Sequence, residues 1–255
     1  KRYQAHCAQE PSVPLFSQAW WLDATAGEGG WEVALVEKGG AIVAAMPYVL
    51  RKRFGFTTLG QPALTQTLGP WLRETGGKSS TRLAQHKDWL QALIDQLPPF
   101  DNFTQNWHWG MVNWLPFYWA GFHQTTRYTY ILHDLGDEQI VWHGLRENIR
   151  TDIKKASKRF YLRVRDDLPV DDFLRLNRMA FDRQGMALPY TEAFVHKLDQ
   201  ACVARHARKI FIAEDEQGRR HAGVYIVWDQ NSAYYLMGGG DPALRNSGAT
   251  SLCMW

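Results

Sequence analysis

Three apolar stretches, Lys209 to Glu214, His221 to Trp228 and Ser232 to Met237, follow one another with only Asp215-Glu216-Gln217-Gly218 and Asp229-Gln230-Asn231 marking the connections. Connectors this short and polar have no room for a crossover helix, so the three must be antiparallel neighbours in one sheet. The last of them runs directly into Gly238-Gly239-Gly240-Asp241-Pro242, beyond which Ala249, Leu252 and Met254 predict a helix. Upstream, Trp142, Leu145, Ile149, Ile153 and Ala156 fall at steps of three and four and mark one buried helix face. A second helix is predicted over Val170 to Arg183 and a third over about Thr191 to Ala207, with Thr191 as its N-cap. Helix, helix, antiparallel meander, glycine loop, helix is the order of a layered α/β domain.

The first half has weaker punctuation of the same kind. Gln18 to Thr25 reads as a short helix capped by Ser17, and Trp31 to Glu37 with Ala41 to Leu50 as a hairpin turning on Lys38-Gly39-Gly40. Phe56 to Leu59 adds a short strand, and Gln85 to Gln96 a helix that Pro98-Pro99 ends. Phe103 to Trp109 and Gln124 to Leu132 read as later strands. A length of 255 residues accommodates two modest domains, and 45% hydrophobic against 22% charged residues is a globular balance. No apolar run approaches the ~18 residues of a membrane span. Cys7, Cys202 and Cys253 are too few and too scattered for a disulfide framework, and nine histidines show no metal-binding spacing, so neither a metal nor a secreted scaffold is expected. No secretory signal opens the chain, and a reducing, cytoplasmic setting fits these features. Cys202, on the apolar side of its helix, reads as packing.

The net charge of +3 is small but unevenly placed. Between Arg146 and Arg165 stand eight basic residues and two acids. Arg146, Arg150, Lys154 and Lys158 recur every four residues, which on a continuous helix makes a cationic line about 18 Å long. Like charges at that spacing repel, so local stability does not select them; a solvated face or an electrostatic footprint for phosphate, on a nucleotide-linked precursor or a tRNA, are the two readings. The aromatic run from Trp107 through Trp109, Trp114, Phe117, Tyr118 and Trp119 to Phe122 is read chiefly as core, with stacking on sugars or bases as the alternative.

The most informative segment is Tyr234-Tyr235-Leu236-Met237-Gly238-Gly239-Gly240 through Arg245-Asn246-Ser247-Gly248-Ala249. A strand emptying into a small-residue loop at a helix start turns backbone N–H groups toward one point, suited to an anion; an ordinary turn that needs glycine dihedrals is the alternative. This segment and the order of elements before it resemble the GNAT acyltransferase superfamily, whose acyl-carrier loop reads roughly Arg/Gln-x-x-Gly-x-Gly/Ala; here the last loop position is Thr250. More narrowly, Leu59-Gly60 to Gly69-Pro70, Arg127-Tyr128-Thr129-Tyr130-Ile131-Leu132, Leu145-Arg146-Glu147-Asn148-Ile149-Arg150 and Phe181-Asp182-Arg183-Gln184-Gly185 resemble the Fem-type branch, which includes the peptidoglycan-bridge aminoacyltransferases.

The resemblance implies an α/β (α+β) chain of two tandem GNAT-like domains, residues 1–135 and 136–255, with mixed, mostly antiparallel sheets flanked by helices. Against that element order the second domain reads as truncated at its C-terminus. The expectation is a fragment lacking its first Met and about 60 to 100 C-terminal residues. The implied activity is transfer of an acyl or aminoacyl group to an amine, in cell-wall or polysaccharide precursor synthesis, with acyl-coenzyme A or aminoacyl-tRNA as co-substrate and no permanent cofactor. On the resemblance, Gly238, Gly239, Arg245, Asn246, Ser247, Gly248 and Ala249 would hold the donor, and Arg127, Arg150, Lys154 and Arg183 an anionic small-molecule or nucleotide-linked acceptor. Asp182, Tyr235 and Asp241 are the catalytic candidates, with Asp229 or a water also open as the base. No GxSxG elbow or Cys–His signature is present, and direct transfer needs none. Two other readings stand: a coenzyme A-dependent N-acyltransferase acting on a sugar or small amine, and a non-catalytic RNA-binding module on the same fold.

Overall fold

A computed structural model describes residues 1–255 and divides them into two units, residues 1–126 with 229–231, and residues 127–228 with 232–255. In the first unit α1 (Arg2–Gln9) and α2 (Ala19–Ala26) precede β1 (Glu32–Lys38), β2 (Ala41–Arg53), β3 (Phe56–Gly60) and β4 (Trp71–Leu72), then α3 (Ser79–Ile94), β5 (Asn102–Phe103) and α4 (Leu115–Trp119). The sheet order is β1-β2-β3-β5, with β4 also paired to β2; β5 runs parallel to β3 and the other pairs are antiparallel. β2 is buried without interruption from Ile42 to Val49 because both its faces are covered. Ala44 and Met46 pack with Trp89, Leu90 and Leu93 of α3, while Ile42 and Ala45 pack with Tyr3, Val13 and Ala19. The hairpin turns as expected on Gly39 and Gly40, at φ +58° and +79°.

In the second unit α5 (Glu138–Gly144), α6 (Glu147–Lys158), β6 (Arg163–Arg165), α7 (Val170–Arg183) and α8 (Glu192–Val203) lead into β7 (Arg208–Glu214), β8 (Arg220–Trp228) and β9 (Ala233–Gly240). A 3-10 turn at Arg245–Ser247 and α9 (Ala249–Met254) follow. The sheet order is β6-β7-β8-β9, antiparallel throughout. Ala213, Ala222 and Val224 pack with Ala156 of α6 and with Ala249 and Cys253 of α9. Phe173 of α7 lies against Tyr225 and the Cα of Gly223. α7 has the expected bounds, and the Thr191 hydroxyl accepts the Phe194 N–H at the start of α8. Cys202 is fully buried. No helix is long and apolar enough to cross a membrane.

Several expectations need correction. Residues 142–156 are not one helix: Leu145 and Arg146 are extended, at ψ 144° and 147°. The break is stable because Arg150 Nη1 donates to the carbonyls of Leu145, His143 and Trp142, at 2.8, 3.0 and 3.4 Å. The cationic line therefore begins on α6 at Arg150, with Arg146 at the N-cap. Residues 104–109 leave the sheet after Phe103, since the Asn106 N–H donates to the Gln61 side chain and the Asn106 carbonyl accepts the Leu68 N–H. Residues 124–132 alternate like a strand but have no ladder partner, leaving Tyr128 and Tyr130 more than nine-tenths exposed. α3 starts at Ser79, not Gln85, and Gln18 rather than Ser17 caps α2, because Ser17 is buried in a preceding 3-10 turn. Of the aromatic run, Trp107, Trp114, Phe117 and Phe122 join the core, whereas Trp109, Tyr118 and Trp119 are exposed.

Candidate active site

The edge strand β9 carries a β-bulge: Met237 pairs with Tyr225 and Tyr235 with Ile226, so Leu236 is the extra residue. Residues three apart on a regular strand face opposite sides, and the bulge abolishes that here. Tyr235 and Gly238 consequently share one wall, with the Tyr235 ring over Gly238 so closely that a Cβ there would lie 2.7 Å from Tyr235 Cζ. α7 covers the next residue of the strand. A Cβ on Gly239 would come within 2.5 Å of Asn177 Cα and closer still to Asn177 N and Leu176 C. The Asn177 side chain is itself nearly fully buried; it donates from Nδ2 to the Gly238 carbonyl at 2.8 Å and accepts the Tyr190 hydroxyl at 2.9 Å. Helix and strand are thus locked backbone to backbone where the strand leaves the sheet.

Around this exit lies a cavity of about 320 Å³, wholly within the second unit, walled by β9, α7, the 3-10 turn and the start of α9. Of the donor residues expected from the resemblance, Gly238, Gly239, Arg245, Ser247 and Ala249 line it; Asn246 and Gly248 do not. Gly248 instead sits at φ +80° against α6, where a Cβ would be 2.9 Å from the Asp152 carbonyl carbon. Arg183, expected on the acceptor side, instead lines the cavity from the end of α7 beside the donor residues. Neither Arg183 nor Arg245 has an ion pair, whereas Arg175 and Arg178 on the same helix are matched by Asp172 and Glu192. The Ser247 hydroxyl is buried without a hydrogen-bond partner.

Two catalytic candidates also line the cavity. Burial, and after it Cys253, pushes the Tyr235 hydroxyl up, so it is protonated at neutral pH and able to donate. Asp241 accepts the Ala243 N–H from Oδ1 at 2.8 Å, shaping its own turn, and its N–H donates to the His221 carbonyl. Asp182 is exposed and outside the lining, and Asp229 accepts the N–H groups of Leu15 and Asn231. Arg127 is exposed in a segment without secondary structure, Lys154 lies over the Trp142 ring at 5.8 Å, and Arg150 caps α5; none of the three lines the cavity.

Sequence reading missed His221, Asp215 and Asn177. His221 lines the cavity and its Nε2 lies 3.1 Å from Asp215 Oδ2. Burial alone would raise the Asp215 carboxyl, but hydrogen bonds from His221 and from the Arg219 N–H and guanidinium outweigh it and hold the group at about 2. A carboxyl whose folded value lies below the unfolded one stabilises the fold above the unfolded value and loses that contribution as pH falls through the folded one. Urea unfolding should therefore show ~1 to 2 kcal/mol lost between about pH 5 and pH 2, discounted for the exposed Arg219 partner, and Asp215→Asn should remove that part of the slope. An unchanged slope would show that Asp215 is not held ionised by its partners.

An antiparallel sheet with helices on both faces, whose edge strand opens beside a glycine turn and a cation-lined cavity, is the layout of the GNAT fold. Residues 143–255 match the family model described as acetyltransferase (GNAT) domain. The solved structure titled "Crystal structure of FemX" matches 99% of this chain and 82% of that one, with a TM-score of 0.65 and 11% identity, a likeness of fold. No curated protein matches the chain. Residues 143–255 are thus similar to GNAT acetyltransferase domains, and the chain shares its fold with the FemX structure.

Proposed function

We propose that the chain transfers an acyl group from a coenzyme A thioester to an amine, in a direct ternary complex in the second-unit cavity. The observation that carries this reading is the pair Arg183 and Arg245, two arginines without carboxylate partners that line one cavity. Charge left unmatched where neighbouring arginines are matched favours an anionic ligand, and guanidinium groups suit phosphate. Ser247, whose hydroxyl is buried without a hydrogen-bond partner, and the small residues Ala249 and Thr250 line the same cavity. The cavity volume is at the lower end of ligand sites, in keeping with one arm of a donor.

Within this reading the chain contributes position and polarisation rather than a covalent intermediate. Tyr235, protonated and on the same wall as Gly238, is placed to give a proton to the departing sulfur. The acceptor is an amine on an anionic precursor of the cell-wall or polysaccharide type, a class that rests on the Fem resemblance. Lys154 and Arg127 are its candidate contacts outside the cavity.

Calorimetric titration with acetyl-coenzyme A tests the donor. Arg245→Glu is expected to raise its Kd at least tenfold, the loss of about one charge-assisted bond, and Arg183→Glu should act in the same direction. No binding of acetyl-coenzyme A, together with binding of charged tRNA that weakens steeply with salt, would move the donor role to an aminoacyl ester.

A further inference from the structure

The hairpin of β2 and β3 runs on past the core of the first unit. Arg51 pairs with Thr58, Lys52 with Thr57 and Arg53 with Phe56, and the turn between them is Phe54-Gly55. Every residue from Arg51 to Phe56 is exposed, whereas β2 is buried from Ile42 to Val49. Both faces of this end are therefore in solvent, and an arm about three residues or ~10 Å long stands clear of the core. Its apex is aromatic, with Phe54 87% and Phe56 64% exposed.

Phe54 is held against its own preference. It lies at φ +51° and Gly55 at φ +82°, the left-handed pair of a two-residue type I′ turn. Asn, Asp or Gly fits the first position of such a turn, and a bulky residue there strains the backbone. A ring left in water contributes no burial in return, so the stability of the hairpin does not select Phe54. Behind the two rings stand Arg51, Lys52 and Arg53, exposed and without an ion pair. Side chains alternate along a strand, so Arg51 and Arg53 lie on one face of the arm and Lys52 on the other, a collar of cations below the tip. At the base Asp101 accepts the Thr57 N–H at 2.7 Å and fixes where the arm leaves the sheet.

We propose that this arm attaches the protein to an anionic lipid bilayer, with Phe54 and Phe56 entering the interface and Arg51, Lys52 and Arg53 resting on the lipid phosphates. An apolar tip followed by a ring of cations matches the order of a bilayer surface, where hydrocarbon lies beneath a negatively charged layer. Single-stranded nucleic acid asks for a different surface, a cationic groove that tracks the backbone with aromatic faces open for stacking. Here the arm is convex, and the Arg53 guanidinium covers one face of the Phe54 ring at 5.0 Å. Each cation at such a surface tightens binding about fivefold, so the three together favour anionic over neutral lipid by ~100-fold. The attachment is peripheral and reversible, and it does not depend on the acyltransferase reading, since no donor or acceptor takes part.

Co-sedimentation of the 255-residue chain with large vesicles tests this. Vesicles of phosphatidylcholine alone are compared with vesicles containing about 30% phosphatidylglycerol, at about 0.1 M salt. The wild type should partition ~100-fold more strongly onto the anionic vesicles, and the difference should shrink as salt rises. Phe54→Asn gives the turn its favoured residue, so it should unfold in urea no earlier than the wild type while binding anionic vesicles about tenfold more weakly. The triple variant Arg51→Gln, Lys52→Gln, Arg53→Gln should lose the preference for anionic lipid. A wild type that binds both vesicles alike, Phe54→Asn binding within about twofold of the wild type, or a triple variant that still prefers anionic lipid overturns the proposal. The last result would move vesicle binding to another cation cluster, such as the line on α6. Fluorescence anisotropy with a single-stranded RNA oligonucleotide covers the other partner. RNA binding that both variants weaken, with no binding to anionic vesicles, overturns the proposal in favour of a nucleic-acid contact.

Discussion

Gly239→Ala should destabilise the second unit by about 3 kcal/mol or more, one of the largest effects expected from a single added methyl group in this chain. The added carbon would fall within 2.5 Å of Asn177 Cα and nearer still to two other backbone atoms of α7. No rotamer relieves a clash with backbone, so β9 and α7 would have to separate, breaking the Asn177 to Gly238 hydrogen bond and loosening Leu176 and Phe173 from the sheet. Gly248→Ala should act alike, since its φ of +80° and the Asp152 carbonyl both exclude a Cβ. Gly238→Ala is the control. There the obstacle is the Tyr235 ring, which is 45% exposed and can swing outward, so stability should fall by less than about 1 kcal/mol while the cavity wall changes. Urea unfolding followed by tryptophan fluorescence separates the three variants. A loss below about 1 kcal/mol for Gly239→Ala would mean that α7 and β9 do not approach as closely as described.

These glycines also show where reading the sequence stops. The run Gly238-Gly239-Gly240 with Gly248 has two physical explanations, an anion cradle or room for backbone to approach, and composition does not separate them. In space Gly239 and Gly248 each admit a helix backbone, which only the tertiary fold reveals. α7 and α8 were legible because amphipathic spacing and the Thr191 cap are local, and β7 to β9 because their connectors are too short for any other pairing. The break at Leu145 was not, since apolar residues keep helical spacing across it and what stabilises it is a guanidinium several residues later. Residues 124–132 alternate as a strand should, but a strand is a relation between two segments, and one segment cannot show that its partner is present. His221 and Asp215 escaped notice for a related reason. A histidine at the start of an apolar strand and an aspartate in a turn look ordinary until a bulge in β8 places one ring nitrogen on the carboxylate.

Asp199→Ala is the second substitution expected to be severe, through charge rather than volume. Asp199 lies on the buried face of α8 with Val195, Leu198 and Cys202. Its Oδ1 accepts the Tyr225 hydroxyl at 2.7 Å and lies 2.9 Å from Arg208 Nε, and its Oδ2 accepts Arg208 Nη2 at 3.1 Å. Tyr225 is fully buried, and burial, with the nearby Cys202 and Asp199, raises its hydroxyl so far that it stays neutral and needs an acceptor. Removing the carboxylate would leave one partly buried cation and one buried hydroxyl without partners, a loss of about 3 kcal/mol. Asp199→Asn keeps an oxygen for Tyr225 and should cost about half as much, because only the charge match to Arg208 is lost. The double variant Asp199→Leu with Arg208→Met removes both charges together, and it should be more stable than the sum of its single changes by at least about 2 kcal/mol. Asp199, Tyr225 and Arg208 do not line the cavity, so folded Asp199→Asn should bind acetyl-coenzyme A as the wild type does. Additive losses in the double variant would show that the two charges do not depend on one another, and a changed donor affinity would show that the cluster reaches the cavity after all.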